Sequence, residues 1–170
     1  NVGTRHASSL RYEGQFSNDK PVGEFRYYYE TGELNATIRF SEKGDSSAAI
    51  YYHINGKMMS QGKYHGQKKQ DTWKYYDDRE ILSSEDNYLN GKREGLAKIF
   101  YLDGQTAEEK NFVNDMEHGQ SKKYFSNKKL QFNGIYVHGN LDGKTVDYYP
   151  SGNVRILGYY EDAVRDSIWM

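Results

Sequence analysis

The stretch Tyr88-Leu89-Asn90-Gly91-Lys92-Arg93-Glu94-Gly95-Leu96-Ala97-Lys98-Ile99-Phe100-Tyr101-Leu102-Asp103-Gly104 decides how the chain folds. Tyr88 and Phe100 stand twelve residues apart, and glycines follow them seven and four positions on, at Gly95 and Gly104. The spacing continues in both directions as Phe16, Tyr28, Phe40, Tyr52, Tyr64, Tyr76, Tyr88, Phe100, Phe112, Tyr124, Tyr136, Tyr148 and Tyr160. Every twelfth residue from 16 to 160 is Phe or Tyr, in a chain that is 15% aromatic. Chance would produce such a series on the order of once in 10¹⁰, so it is an internal repeat.

The two glycine offsets alternate, which makes the true unit 24 residues long. Gly23, Gly95, Gly119 and Gly143 share the first offset, with Ser47, Asp71 and Ser167 at the same place in other copies. Gly32, Gly56, Gly104 and Gly152 share the second, and Glu80 and Lys128 replace the glycine twice. No insertion or deletion disturbs the register, so each unit is expected to stack on the next. Aromatic runs such as Phe25-Arg26-Tyr27-Tyr28-Tyr29 and Thr72-Trp73-Lys74-Tyr75-Tyr76 favour a pleated surface. The pairs Asn55-Gly56, Asn90-Gly91, Asp103-Gly104, Asn133-Gly134, Asp142-Gly143 and Ser151-Gly152 supply the positive φ angles of hairpin turns. Twelve residues suit a strand of about seven and a turn of about five. The expected fold is all-β: an elongated single-layer antiparallel meander of about seven 24-residue hairpin repeats, in roughly thirteen or fourteen strands. Residues 1–11 read as an N-terminal lead-in and 12–170 as the repeat domain. Its units start at the aromatics 16, 40, 64, 88, 112, 136 and 160, the last incomplete. Trp169 falls at the phase of Phe25 and Trp73, and the chain stops inside an expected strand, so both ends look truncated.

Twenty-three basic and twenty-four acidic side chains give a formal charge of −1, interspersed along the chain, which argues against nucleic acid as a partner. The absence of cysteine removes disulfides and thiolate metal sites. The five histidines, His6, His53, His65, His118 and His138, fall at unrelated phases, so no metal site is expected. Asp77-Asp78, Glu85-Asp86 and Glu108-Glu109 lie near expected turns, where acidic residues are ordinary. No nucleophile set stands out, so neither catalytic residues nor a cofactor are expected, and the chain reads as a non-enzyme.

The pattern aromatic-x-Asn-Gly-Lys-x-x-Gly, then two aromatics, then Asn/Asp-Gly, resembles the MORN repeat in its bacterial variant. Tyr88–Gly95 and Tyr148-Tyr149-Pro150-Ser151-Gly152-Asn153-Val154 carry the likeness most clearly, and it extends over about residues 12–170. Ser47 and Ala49 depart from it, where glycine and a large aromatic are usual. The resemblance implies a scaffold used for protein partners, self-association or, in some eukaryotic members, anionic phospholipid. Some bacterial relatives carry an antitoxin designation.

The twelvefold aromatics are expected to be a structural ladder of cross-strand contacts. Neighbours on a strand face opposite ways, so the off-period rings form a second set. Within it Phe25, Tyr27, Tyr51, Trp73 and Tyr75 cluster and are the candidate groove for a peptide or glycan. The expected function is a non-catalytic scaffold binding a protein partner or itself. Wall-glycan binding is the alternative, and an anionic lipid surface the second, less favoured for want of a one-sided basic face. Cysteine-free Tyr- and Asn-rich repeats suit an exported bacterial protein, with cytoplasm the other possibility.

Overall fold

A computed structural model describes residues 11–161 and 163–166. The lead-in to residue 10 and the expectations resting on Ser167, Trp169 and Met170 lie outside the described residues. Those residues contain seventeen strands and no helix. Two compact units divide the chain. The first runs to Leu82 and takes in Tyr88–Gly91; the second comprises Ser83–Asn87 and the chain from Lys92 onward.

The first unit holds β1 (Arg11–Ser17), β2 (Lys20–Tyr28), β3 (Leu34–Phe40), β4 (Ser46–Tyr52), β5 (Met58–His65) and β6 (Lys68–Tyr76). Each pairs antiparallel with its neighbour in sequence. β7 (Leu82–Leu89) is shared between the units. The second unit continues with β8 (Lys92–Arg93), β9 (Gly95–Phe100), β10 (Thr106–Val113), β11 (Met116–Glu117), β12 (Gly119–Tyr124), β13 (Leu130–Val137), β14 (Asn140–Leu141), β15 (Gly143–Tyr148), β16 (Val154–Glu161) and β17 (Val164–Arg165). It too is an antiparallel meander. Single-residue breaks separate β8 from β9, β11 from β12 and β14 from β15; closing those three reduces seventeen strands to fourteen, the expected number.

The breaks correct one element of the sequence reading. Gly95, Gly119 and Gly143 have positive φ, but they sit inside bulged strands and not in hairpin turns. Gly23 and Asp71 do the same within β2 and β6, where three residues oppose one on the neighbouring strand. A bulge and a turn both demand left-handed backbone, so their residue signatures coincide. Asn133-Gly134 is likewise not a turn: it lies in mid-strand, paired to Lys122 and Ser121.

Most of the turns are of two kinds. Two-residue turns with both φ positive occur at Asn18-Asp19, Asn90-Gly91, Asn114-Asp115 and His138-Gly139, the geometry that fits strand twist. Each repeat's other turn is a five-residue loop closed by two backbone bonds, as in Tyr101 N to Gln105 O at 2.8 Å and Gly104 N to Tyr101 O at 2.9 Å. Its fourth residue is left-handed: Gly32, Gly56, Gly104 and Gly152, but also Glu80 at φ 67° and Lys128 at φ 68°. Glu80 offsets that strain, since its carboxylate accepts from Met58 N and the Lys57 ammonium, both at 3.2 Å. Lys128→Gly should therefore raise stability by about 0.5–1 kcal/mol in urea unfolding, the left-handed penalty less glycine's extra chain entropy. Glu80→Gly should show no such gain.

Successive repeats are laced at both margins. Beside the two-residue turns, an amide of one hairpin donates to a carbonyl of the previous one: Gly66 to Asp45, Gly91 to Lys69, Asp115 to Arg93, Gly139 to Glu117 and Ala163 to Leu141, at 2.6–3.1 Å. Beside the five-residue loops, the Tyr29 hydroxyl donates to Tyr52 O at 2.7 Å, His53 Nε2 to Tyr76 O at 3.1 Å, and the Tyr101 hydroxyl to Tyr124 O at 2.5 Å. These bonds account for the strict period, because an inserted residue would leave a buried or half-buried carbonyl without its donor.

Strand pairing settles which face each aromatic row takes. In the first unit Phe25 pairs Ile38, which in turn pairs Ala49, while Phe40 pairs Gly23 and Ser47, so these side chains share one face, the ring face. Phe16, Phe40 and Tyr64 lie on it, as the Phe16 and Phe40 rings meet Phe25 edge-on at 5.1 and 5.3 Å. Tyr28 and Tyr52 line the opposite face with Arg26, Arg39 and Ile50. The twelvefold series thus alternates faces. Most members are half-buried; Phe112 is buried and Phe16 is 45% exposed. On the opposite face a second rhythm appears, with Tyr28 donating to Glu13, Gln61 donating to Tyr76, and Tyr124 donating to Glu109.

Candidate functional site

The five candidate aromatics all occupy the ring face of the first unit. Phe25 and Trp73 are its pillars, each 1% exposed. They are buried in a single layer because each lies flat on a glycine. A Cβ on Gly14 would come within 2.3 Å of the Phe25 ring, and one on Gly62 within 2.3 Å of the Trp73 ring. Both glycines sit at register shifts, and at the second the Trp73 indole N–H donates to Lys63 O at 3.1 Å. Between the pillars stands Ala49, also 1% exposed and flanked by Ile38 and Gly62.

Tyr27, Tyr51 and Tyr75 occupy one position in three successive repeats, on β2, β4 and β6, and are half-buried. Alternate strands place such residues about 9.6 Å apart. Tyr27 contacts Tyr12 and Phe25 at centroid distances of 6.0 and 6.3 Å; Tyr51 and Tyr75 flank Trp73 at 6.3 and 6.4 Å. Their hydroxyls join ladder tyrosines, Tyr51 to Tyr64 at 3.1 Å and Tyr75 to Tyr88 at 3.2 Å. Burial, and then the hydrogen bond with Tyr51, pushes the Tyr64 hydroxyl well above its ordinary range; burial, and then Tyr51 and Tyr12, raises Tyr27. Tyr64 and Tyr27 therefore remain neutral at physiological pH. Lys69 stands 4.4 Å from the Trp73 ring centroid and about 5 Å from those of Tyr75 and Tyr88, and donates to the Tyr75 hydroxyl at 2.8 Å. Lys69 is therefore held in an aromatic cage.

The same positions in the second unit have another character. The Phe25 phase becomes Ala97, Ser121 and Thr145, all buried, and the Tyr27 phase becomes Ile99, Lys123 and Asp147. An ion cluster occupies the middle of this face: Glu108 lies 3.2 Å from Lys110 and 3.4 Å from Lys123, and Lys110 lies 3.7 Å from Glu117. Burial alone would lower the Lys110 pKa; the hydrogen bond to Glu108 and the charges of Glu108 and Glu117 outweigh it and raise the value above 10.5. The Arg93 guanidinium caps the Phe112 ring at 3.9 Å. Glu108 and Glu109 are adjacent in sequence. The structure separates them: Glu108 joins this cluster, while Glu109 accepts from Tyr124 on the other face. Asp77 caps its own loop through Arg79 N and Ile81 N, both at 2.9 Å.

Among the described residues no group of three metal-ligating side chains converges, and no helix is long and apolar enough to cross a membrane. On the opposite face of the first unit, Arg26 and Arg39 are both committed to Glu24, at 3.0 and 3.2 Å. Their guanidinium groups, Arg39 first, hold the Glu24 carboxyl below its usual range.

Antiparallel hairpins in a 24-residue period, laced to one another beside their turns and carrying rows of rings, define a β-hairpin repeat architecture. The family model of the MORN repeat variant matches three of its segments, residues 21–42, 93–114 and 141–162. Those segments begin 72 and 48 residues apart, three and two units of the 24-residue period. No curated protein sequence matches the chain. Among solved structures, it is similar to TarM, with 17% identity and a TM-score of 0.34 over 68% of this chain and 20% of that one. A mutant of S. aureus TarM in complex with Fondaparinux, alpha-GlcNAc-glycerol and UDP gives 15% identity and a TM-score of 0.31 over 64% and 19%. The chain spans about a fifth of the length of those structures. Likeness of that degree carries no argument about activity.

Proposed function

We propose that the chain is a non-catalytic scaffold whose first unit binds a protein partner, or a second copy of itself, through the ring face. The row of Tyr27, Tyr51 and Tyr75 over the Phe25 and Trp73 pillars carries this reading. Three identical rings at a fixed repeat spacing, stiffened from below, give large contact area at low entropic cost, the property that enriches tyrosine in recognition surfaces. Their hydroxyls can accept from or donate to a peptide backbone.

Glycan binding is the second reading, favoured by the same planar rings. Trp73 cannot stack on a sugar, being 1% exposed, so a glycan would meet only the three tyrosines. A membrane surface is less favoured, because Arg26 and Arg39 are both engaged by Glu24, which offsets part of their charge.

Affinity capture from source cells should be compared between the wild type and Tyr27→Ala/Tyr51→Ala/Tyr75→Ala, with Tyr28→Ala/Tyr52→Ala on the other face as control and sedimentation velocity to read self-association. Loss of one specific partner, or of the dimer, only in the ring-face variant supports the proposal. An unchanged partner set together with a monomer at all concentrations rejects it. A wall oligosaccharide that quenches tyrosine fluorescence in the wild type alone would move the assignment to glycan.

A further inference from the structure

The margin carrying the two-residue turns has a contact that recurs every 24 residues between non-equivalent positions. A bulge residue of one hairpin reaches the first turn residue of the next, twenty residues on. Gln70 accepts from Asn90 N at 2.7 Å and donates to its side chain at 3.4 Å, and Glu94 accepts from Asn114 N at 2.9 Å. In the next copy both positions are histidine. His118 and His138 bring their ring centroids within 5.5 Å. The two histidines occupy unlike positions of the 24-residue unit, so a comparison of equivalent positions leaves them apart.

We propose that His118 and His138 form a binding site for a borderline divalent transition-metal ion such as Ni²⁺ or Zn²⁺. Two imidazole nitrogens about 2.1 Å from one such ion at a near-tetrahedral angle place the ring centroids ~5–5.5 Å apart, matching the observed separation. Neutral imidazole is the ligand these ions favour, and water completes the coordination. Among the described residues neither ring has a hydrogen-bond or ion-pair partner, so binding displaces no existing interaction. Both backbones are fixed: His118 N donates to Asn111 O, and Gly139 N, next to His138, donates to Glu117 O, next to His118, each at 2.8 Å. His138 itself is held at φ 49° in its turn. A bound ion would clip two successive hairpins across a twenty-residue separation.

The test is calorimetric titration of the full chain, freed of metal by chelator, with NiCl₂ and separately with ZnCl₂. His118→Gln/His138→Asn serves as the silent variant, because it recreates the natural Gln70/Asn90 pair and should fold. A single site in the micromolar range, weakened at least tenfold in that variant and kept in His53→Gln, is the expected result. The thermal midpoint should rise with metal in the wild type and stay put in the variant. Equal affinity in wild type and variant would mean scattered surface histidines and overturns the proposal, as would absence of binding at millimolar metal.

Discussion

Gly62→Ala should destabilise the first unit by about 2–4 kcal/mol, although it adds a single methyl group. The new Cβ would stand 2.3 Å from two atoms of the Trp73 indole, which is buried and tied by its N–H to Lys63 O. The ring has to lift, so overpacking strain is joined by loss of that hydrogen bond. Trp73→Ala should cost about 3–5 kcal/mol for the vacated volume. The decisive outcome is their combination. With the indole gone, alanine at position 62 has nothing to strike, and the double variant should cost no more than Trp73→Ala alone. Urea unfolding followed by far-UV circular dichroism measures all three. Additive losses would mean that Gly62 acts through backbone conformation and not clearance. The transition to follow is that of the first unit, since repeat arrays need not unfold as one cooperative whole.

Lys110→Met should cost the second unit about 2–3 kcal/mol near neutral pH, by leaving Glu108 and Glu117 together without their shared ammonium. Side-chain exposures of 16% for both carboxylates and 31% for Lys110 place the cluster between a surface pair and a buried one, and the expected cost is set below the fully buried range accordingly. Glu108→Leu/Lys110→Met/Glu117→Leu should recover most of the loss, because apolar replacement removes charge and countercharge together. The pH dependence has a definite sign. A lysine whose folded pKa is raised contributes stability fully below its unfolded value of 10.5 and loses it as pH climbs through the folded value. The wild type and Lys110→Met should therefore converge at strongly alkaline pH. A gap that persists there would assign the loss to packing of the lysine stem.

How much of this could be read beforehand follows from what each signal constrains. The aromatic period depends on strand length plus turn length, so it revealed the meander and its repeat. Face assignment depends on strand parity, which a one-residue bulge inverts, and Gly95 in a bulge has the same signature as Gly91 in a turn. The alternation of the Phe16 and Tyr28 rows therefore had to be seen. Phe25 and Trp73 stood out as aromatic, yet their burial rests on Gly14 and Gly62 in the neighbouring strands. Glycines at those two places carry no distinguishing mark within a repeat that has glycine elsewhere. Lys110 occupies the phase of Gly62 and Gly134, a substitution of charge for clearance visible only once the phases are superposed on pairing. His118 and His138 meet across unlike phases of the unit, so equivalence of position carries no sign of their contact.

The lacing of turn amides to the carbonyls of the preceding hairpin also sets how such a chain can change its length. Removing or duplicating 24 residues returns every donor to an equivalent acceptor and every ring to its own side. Removing twelve would turn all later rings to the wrong side and set a bulge where a five-residue loop is needed. Growth is therefore quantised, and each unit works as a ruler whose smallest readable division is one hairpin pair. Any partner that reads the Tyr27, Tyr51, Tyr75 spacing would be measuring with that same ruler.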